Sequence, residues 1–183
     1  RGDIFGRRLL FIGDADLTSI AVAILGEAKR IFVVDIDEEV LKLIKKISKE
    51  EKLSVETLKY DVKKPLHPHL LNIFDVAFTD SPYTETGTKL FLSRAIEALE
   101  LKSTSALYFC YGQSDRAEER SFGIQKIITD MGLLVKERLS KFNRYFGAAS
   151  IGSASALYIN SITKETKPAI RGKFTGKIYT WER

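Results

Sequence analysis

Short apolar runs alternate along the chain with segments in which apolar residues recur every three or four positions. Continuous apolar runs bounded by polar residues predict buried strands, and the three-to-four spacing predicts helices with one buried face. The predicted strands are 8–12, 30–35, 54–60, 74–79 and 105–111. The predicted helices are 17–26, 38–52, 90–99 and 122–131.

Two further segments, 133–146 and 154–163, flank a turn rich in Gly, Ala and Ser and predict an antiparallel hairpin. The β–α alternation before them predicts a doubly wound, mainly parallel sheet covered on both faces. This arrangement is similar to the Rossmann-like methyltransferase fold. We predict one α/β domain at 1–163 and a polar, basic tail with late aromatic residues at 164–183, which either packs on that domain or stays mobile.

Composition indicates the cellular environment of the protein and says little about its chemistry. No apolar run reaches the roughly 18 residues that a membrane span needs, so no membrane partner is expected. The single cysteine, Cys110, rules out an internal disulfide, fits a reducing cytoplasm and reads as a core residue of its strand. Abundant Lys and Glu with few Asn and Gln are typical of heat-adapted proteins. The net charge of +5 leaves a nucleic-acid partner open at this point.

Acidic residues follow each of the first four predicted strands. Ligands of open α/β sheets bind beyond the carboxyl ends of the strands, so these side chains are expected to meet at the binding crevice. In chain order they are Asp14 and Asp16, Asp35 and Asp37, Asp61, and then Asp80 and Glu85. Two of these residues have a simpler interpretation than a place in the crevice. Asp37 suits a solvated turn or a helix cap, and Glu85 suits an exposed surface position. We therefore expect a negative rim on a chain that is net positive.

The turn after the first strand contains one glycine, Gly13, where dinucleotide-binding turns usually carry several. Asp35 lies about 20 residues beyond it, where an acidic side chain binds ribose hydroxyls in this fold. Asp16 suits ligand contact and equally suits the N-cap of the following helix. Asp61 is likewise either a ligand contact or a turn residue.

The most specific motif is Asp-Ser-Pro-Tyr-Thr at 80–84, at the end of the fourth strand. Pro82 fixes a turn there, Tyr83 can form a wall beside a reacting centre, and Asp80 should point into the crevice. The alternative is an ordinary Asp-Ser-Pro turn. His67 and His69 have no third ligand close in sequence, so no metal site is predicted from them.

With these motifs placed, the sequence resembles the branched-chain polyamine synthases, the N(4)-bis(aminopropyl)spermidine synthases of thermophilic archaea and bacteria. The resemblance rests on GDADLTSIA at 13–21, VVDID at 33–37, TDSPYT at 79–84 and GTKLFLSRAI at 87–96. Ala15 and Ser81 depart from the family patterns, which are close to Gly-Asp-Asp-Asp and Asp-Pro-Pro-Tyr. Family members carry an additional N-terminal winged-helix-like domain, and a chain that starts almost directly on a strand fits a piece of such a protein.

The resemblance implies transfer of aminopropyl groups from decarboxylated S-adenosylmethionine to spermidine, without a metal. The roles it implies are a base at Asp80 or Asp16, donor binding by Gly13, Asp14, Asp35 and Asp61, and substrate binding by Asp16, Tyr83 and Glu85. Small molecules are then the expected partners, nucleic acid is not, and a homodimer is left open. Two alternatives remain: an S-adenosylmethionine-dependent amino-methyltransferase acting on nucleic acid or protein, and a non-catalytic module that binds nucleic acid through the tail.

Overall fold

The computed structural model describes residues 2–112, 118–144 and 154–179. Its strands are β1 (Arg8–Ile12), β2 (Arg30–Asp35), β3 (Glu56–Lys59), β4 (Val76–Asp80), β5 (Ala106–Gly112), β6 (Leu133–Arg144) and β7 (Ala154–Ile162). Its helices are α1 (Thr18–Leu25), α2 (Glu38–Glu50), α3 (Glu85–Ala98) and α4 (Glu118–Asp130), with a short 3-10 helix at Pro68–Leu70. Within the described ranges, no helix has the length and apolar character that crossing a bilayer requires.

The strands form a seven-stranded sheet in the order β3-β2-β1-β4-β5-β7-β6. The pairs among β1 to β5 are parallel, and β7 runs antiparallel to both β5 and β6. This confirms the predicted doubly wound sheet ending in an antiparallel hairpin. Ile12 of β1 pairs with Val34 of β2 and Thr79 of β4, so the carboxyl ends of these central strands lie side by side.

Two hydrophobic layers sandwich the central strands, because alternate side chains of each strand point to opposite faces. Leu10 and Leu107 pack on one face against buried residues of α3 and α4. Phe11 and Val33 pack on the other face, where Ile44 of α2 is fully buried. The central strands are therefore held rigidly from both sides, and the loops at their carboxyl ends start from fixed points.

Two of the helices, α2 and α3, begin at side-chain caps. Asp37 caps α2, as one of the sequence interpretations expected, by accepting the N–H groups of Glu39 and Val40. The predicted start of α3 at residue 90 is wrong. Thr84 accepts the N–H of Gly87 and starts the helix at Glu85, five residues before its apolar pattern begins.

The tail packs across α3 as far as the structure describes it, to residue 179. The Ser93 hydroxyl of α3 accepts the N–H groups of Ala169 and Ile170 at 3.1 and 3.0 Å. The Phe174 N–H donates to the carbonyl of Lys63, in the loop after β3, at 2.8 Å. These contacts carry the tail from α3 towards the carboxyl edge of the sheet. Trp181, one of its late aromatic residues, lies outside the described residues.

A buried arginine links the tail, α3 and the loop after β3. Arg94 is 0% exposed, and its guanidinium donates to the carbonyls of Val62 and Gly172 at 2.9 and 2.6 Å. It also pairs with Glu97 at 3.0 Å. A buried charge is tolerated only when it is paired and its donors are satisfied, as they are here. Arg94 therefore holds three segments in register around one side of the sheet edge.

Candidate active site

A cavity of about 760 Å³ lies at the carboxyl edge of β1, β2, β3 and β4. Its volume is within the range typical of small-molecule sites. Among its described lining residues are six aspartates and one lysine: Asp14, Asp16, Asp35, Asp37, Asp61, Asp80 and Lys63. The expected acidic rim is therefore present, although the chain carries a net charge of +5.

The two aspartates of the first loop have different environments. Asp14 is 3% exposed, and its carboxylate accepts both the N–H and the hydroxyl of Ser19 in α1. Asp16 is exposed and lines the cavity. The N-cap position of α1 is Leu17, which has a left-handed φ of 57° and makes no side-chain cap bond. The capping alternative for Asp16 is therefore wrong, because Asp14 satisfies the helix N-terminus instead.

Burial of Asp14 changes its acidity. Removal from water raises the pKa of its carboxyl to about 6, and the hydrogen bonds from Ser19 oppose this rise only in part. Near neutral pH this group is therefore close to its titration range, unlike an ordinary aspartate. The donor-binding role of Asp14 stays a prediction: its carboxylate borders the cavity, while both of its oxygens accept hydrogen bonds from Ser19.

Asp35 is fixed at the end of β2 by backbone groups. One carboxylate oxygen accepts the N–H of Asp14 at 3.0 Å, and the other accepts the N–H of Asp37 at 2.9 Å. Each oxygen retains a further lone pair that can accept a hydroxyl proton. The carboxylate is thus held in one orientation at the cavity wall, with acceptor capacity remaining for a ligand.

Asp61 makes the turn contact that one of its sequence interpretations expected, and its ligand contact stays a prediction. Its carboxylate accepts the N–H of Lys63 at 2.9 Å, which is a turn contact, and it also lines the cavity. The tail completes this side through Ile178 and Tyr179, which line the same cavity. Sequence reasoning missed these two residues, because a polar tail gives no signal of where it packs.

Asp80 lies at the end of β4, in register with Cys110 of β5. The Tyr83 hydroxyl donates to one oxygen of the Asp80 carboxylate at 3.3 Å. Cys110 is fully buried, and burial together with the charges of Asp80 and Asp16 raises the pKa of its thiol to about 12. The thiol is therefore protonated and a core group, as predicted. Asp16 and Asp80 both line the cavity.

The loop around Pro82 is tied to α3 and to the tail. The Ser81 hydroxyl is buried and donates to the Thr88 hydroxyl, which donates to the carbonyl of Pro82. The Thr84 hydroxyl donates to the carbonyl of Ile178 at 2.7 Å. A Cβ at Gly87 would lie 2.9 Å from that carbonyl oxygen and 2.9 Å from Pro82, so only glycine lets the three segments meet.

The structure does not bring Glu85 to the cavity. It is the first residue of α3, it is exposed, and its carboxylate lies 4.0 Å from the Lys89 ammonium on the helix surface. Its predicted substrate-binding role is unsupported by this position. Among the described residues, no group of three His, Cys, Asp or Glu side chains is placed to hold a metal ion.

Comparison with known proteins identifies the family. Residues 1–181 match the family described as the branched-chain polyamine synthase A C-terminal domain. The chain belongs to this family. An uncharacterized protein of Methanocaldococcus jannaschii is 43% identical over 180 residues, covering 98% of this chain and 44% of that protein. The N(4)-bis(aminopropyl)spermidine synthase of the same organism is 33% identical over 147 residues, covering 79% of this chain and 42% of that protein.

Solved structures support the fold. The branched-chain polyamine synthase from Thermus thermophilus, in complex with N4-aminopropylspermidine and 5′-methylthioadenosine, superposes with a TM-score of 0.85 at 23% identity, covering 97% of this chain and 56% of that chain. A SAM-dependent methyltransferase from Aquifex aeolicus superposes with a TM-score of 0.65 at 17% identity, covering 88% of this chain and 85% of that chain. Both agree with the Rossmann-like methyltransferase fold. This chain spans less than half the length of the two M. jannaschii relatives.

Proposed function

We propose that this chain carries the active site of an aminopropyltransferase. The donor is decarboxylated S-adenosylmethionine, the acceptor is the central secondary amine of spermidine, and two transfers give N(4)-bis(aminopropyl)spermidine. The observation that carries this proposal, beside membership of the family, is the cavity whose described charged lining is six aspartates and one lysine.

The charge of the lining bears on the choice of donor. S-adenosylmethionine carries an α-carboxylate, which a cavity lined with aspartates repels, whereas its decarboxylated form carries only cationic groups at that end. The polyamine acceptor is also a cation. One acidic lining therefore suits both substrates of an aminopropyl transfer, and it disfavours the donor of a methyl transfer.

The backbone-fixed carboxylate of Asp35 suits the two ribose hydroxyls of the donor. We assign the adenine amino group to Asp61, beside the wall that Ile178 and Tyr179 complete. Gly13, whose φ of 73° turns the chain between β1 and Asp14, keeps the nucleoside side free of a further side chain. These assignments place the sulfonium end towards Asp16 and Asp80.

The chemical step joins the amine nitrogen to the aminopropyl carbon and breaks the bond between that carbon and sulfur. The sulfur keeps the bonding electron pair and leaves as neutral 5′-methylthioadenosine. The first acceptor must lose a proton for its lone pair to attack, and a carboxylate in hydrogen-bond reach can take it. We assign this role to Asp80, whose carboxylate accepts a hydrogen bond from the Tyr83 hydroxyl. Asp16 is the second candidate. Tyr83 would wall the aminopropyl channel.

The acceptor needs its own test. In M. jannaschii the uncharacterized relative is more similar to this chain, and over more of its length, than the named synthase is. Ala15 and Ser81 also depart from the family patterns at two lining positions. Spermidine should therefore be compared with N(4)-aminopropylspermidine and with longer linear polyamines. We place the reaction in the cytoplasm, as the single cysteine predicts.

Calorimetry and a turnover assay on the purified protein test the proposal together. Decarboxylated S-adenosylmethionine should bind at least about tenfold more tightly than S-adenosylmethionine, equivalent to about 1.4 kcal/mol. With an amine acceptor, 5′-methylthioadenosine should be released together with an aminopropylated product. Asp80→Asn keeps the shape and removes the base, so kcat should fall on the order of a hundredfold with little change in donor affinity.

Equal or reversed donor affinities, with methyl transfer to nucleic acid or protein, would overturn the proposal in favour of a methyltransferase. Near-normal turnover in Asp80→Asn beside an inactive Asp16→Asn would move the base to the first loop. Asp130→Asn, at the exposed end of α4, serves as the matched control and should leave both affinity and kcat unchanged.

A further inference from the structure

Gly112, the last residue of β5, lies directly against the ring of Tyr83. A Cβ at this position would be 3.1 Å from Cδ2, 3.3 Å from Cε2 and 3.4 Å from Cγ of that ring. Gly112 is not among the glycines with positive φ, and it pairs regularly with Ser155 of β7. A side chain here is therefore disfavoured by the ring, which would have to shift by a few tenths of an ångström, and not by the backbone conformation.

The preceding residue of the same strand holds Tyr83 from a second direction. Tyr111 is 3% exposed, and its ring meets the ring of Tyr83 edge-on, with centroids 5.6 Å apart and planes inclined by 67°. Its hydroxyl donates to the carbonyl of Tyr83 at 3.4 Å. Two successive residues of a rigid central strand thus contact both the ring and the backbone of Tyr83.

Tyr83 passes this constraint to Asp80. Its hydroxyl donates to the Asp80 carboxylate at 3.3 Å, close to the outer limit of a hydrogen bond. A shift of the ring by a few tenths of an ångström away from Gly112 is therefore enough to weaken or break this contact. The carboxylate would then rotate with fewer restraints at the cavity wall.

We propose that Gly112 and Tyr111 are positioning residues that set the orientation of Asp80 through Tyr83. This rests on the proposed function, in which Asp80 accepts the proton of the amine. A base misplaced by about an ångström can cost two orders of magnitude in rate. A ring shift that breaks the Tyr83 hydrogen bond lets the Asp80 carboxylate rotate away, so the small space at Gly112 affects the chemical step without contact with substrate. The donor nucleoside binds at the other side of the cavity and is unaffected.

The test is a double-mutant cycle on the purified protein with the donor and its best amine acceptor. Gly112→Ala should lower kcat about ten- to a hundredfold while the donor Kd stays within about twofold. Tyr83→Ala should lower kcat as well. Added to Tyr83→Ala, the change Gly112→Ala should have no further effect, because the ring it displaces is gone.

Gly123→Ala is the matched control, since the nearest atoms to its new methyl belong to Glu85, an exposed side chain that can move aside. It should leave kcat unchanged. Tyr111→Phe is a second variant in case Gly112→Ala does not fold, because it adds no atoms to the structure. It should lower kcat a few-fold at unchanged donor Kd. Normal kcat in Gly112→Ala, or a full additional loss in the double variant, would overturn the positioning role.

A crystal structure of Gly112→Ala separates this proposal from the proposed function. The distance between the Tyr83 hydroxyl and Asp80 should exceed 3.5 Å, whichever group the enzyme transfers. An unmoved Tyr83 would refute the positioning role and leave the proposed function untouched. A wild-type protein that releases no 5′-methylthioadenosine, with Tyr83 displaced in the variant, would count against aminopropyl transfer alone.

Discussion

Replacement of Asp14 by Asn should make the protein more stable at neutral pH. The wild-type carboxyl is buried and its pKa is raised to about 6 from an ordinary 3.8. A group whose folded pKa lies above its unfolded value contributes stability that is fully present below the unfolded pKa and is lost as pH rises through the folded pKa. Asp14 therefore costs stability above about pH 6, where it must ionise inside the fold.

The size of the effect follows from the two pKa values. A difference of about two pKa units corresponds to about 3 kcal/mol, which is an upper limit for the gain. Asn keeps one oxygen that can accept the Ser19 N–H, and its amide can donate to the Ser19 hydroxyl. The pKa of about 6 already includes the Ser19 hydrogen bonds, and the neutral amide makes weaker bonds than the carboxylate does, so we expect about 1–3 kcal/mol at pH 7.5 and almost no difference near pH 4.

Urea denaturation at pH 4, 6 and 7.5 measures this difference, with Asp130→Asn as an exposed control whose curve should run parallel to wild type. The wild type should lose stability relative to Asp14→Asn only across the interval from about pH 4 to about pH 7. Equal pH dependence in the two proteins, or a variant less stable at every pH, would refute the argument that Asp14 ionises at a cost.

Three further outcomes follow from the structure. Asp35→Ala should weaken both S-adenosylmethionine and its decarboxylated form by a similar factor, about tenfold in calorimetry, because the ribose is common to both; discrimination between them would exclude a ribose contact. Asp75, beside Arg8 at 2.8 Å, has a pKa held below its ordinary value chiefly by hydrogen bonds from that guanidinium. The stability that Asp75 contributes is therefore present above about pH 4 and lost on acidification. Asp75→Asn should lower the unfolding free energy at pH 7 by about 2–4 kcal/mol. In thermal melts, the difference between wild type and variant should disappear towards about pH 2. Gly87→Ala should weaken donor binding several-fold by displacing the Ile178 carbonyl, and an unchanged Kd would show that the tail is not part of the nucleoside side.

The sheet and its acidic edge could be predicted because they depend on local patterns. The apolar runs at Arg8–Ile12 and Arg30–Asp35 are strands with the predicted bounds, and parallel pairing then brings the acids after them to one edge. The cap at Asp37 was also readable, since it needs only the residues of the next helical turn.

The roles of Asp14 and Asp16 could not be separated from the sequence. Asp14, and not Asp16, accepts the N–H of Ser19 at the start of α1. Leu17, between Asp16 and the helix, adopts a left-handed conformation that no local preference of leucine predicts. The tail was similarly unreadable, because its contacts are with Ser93, 76 and 77 residues earlier in the chain, and with Lys63. The early start of α3 was signalled by Thr84 alone, ahead of the apolar pattern that set the predicted boundary.

The packing of the tail on α3 means that the cavity is completed only after the sheet has been synthesised. Residues 174–179 are synthesised after every strand of the sheet, yet they supply Ile178 and Tyr179 to the cavity and are fastened to Lys63 and Thr84. A nascent chain that has folded only its sheet already presents the aspartates but lacks one wall. Full ligand affinity is therefore expected only once residues 174–179 have been translated and have packed, so the completed cavity reports that the chain has been made at least that far.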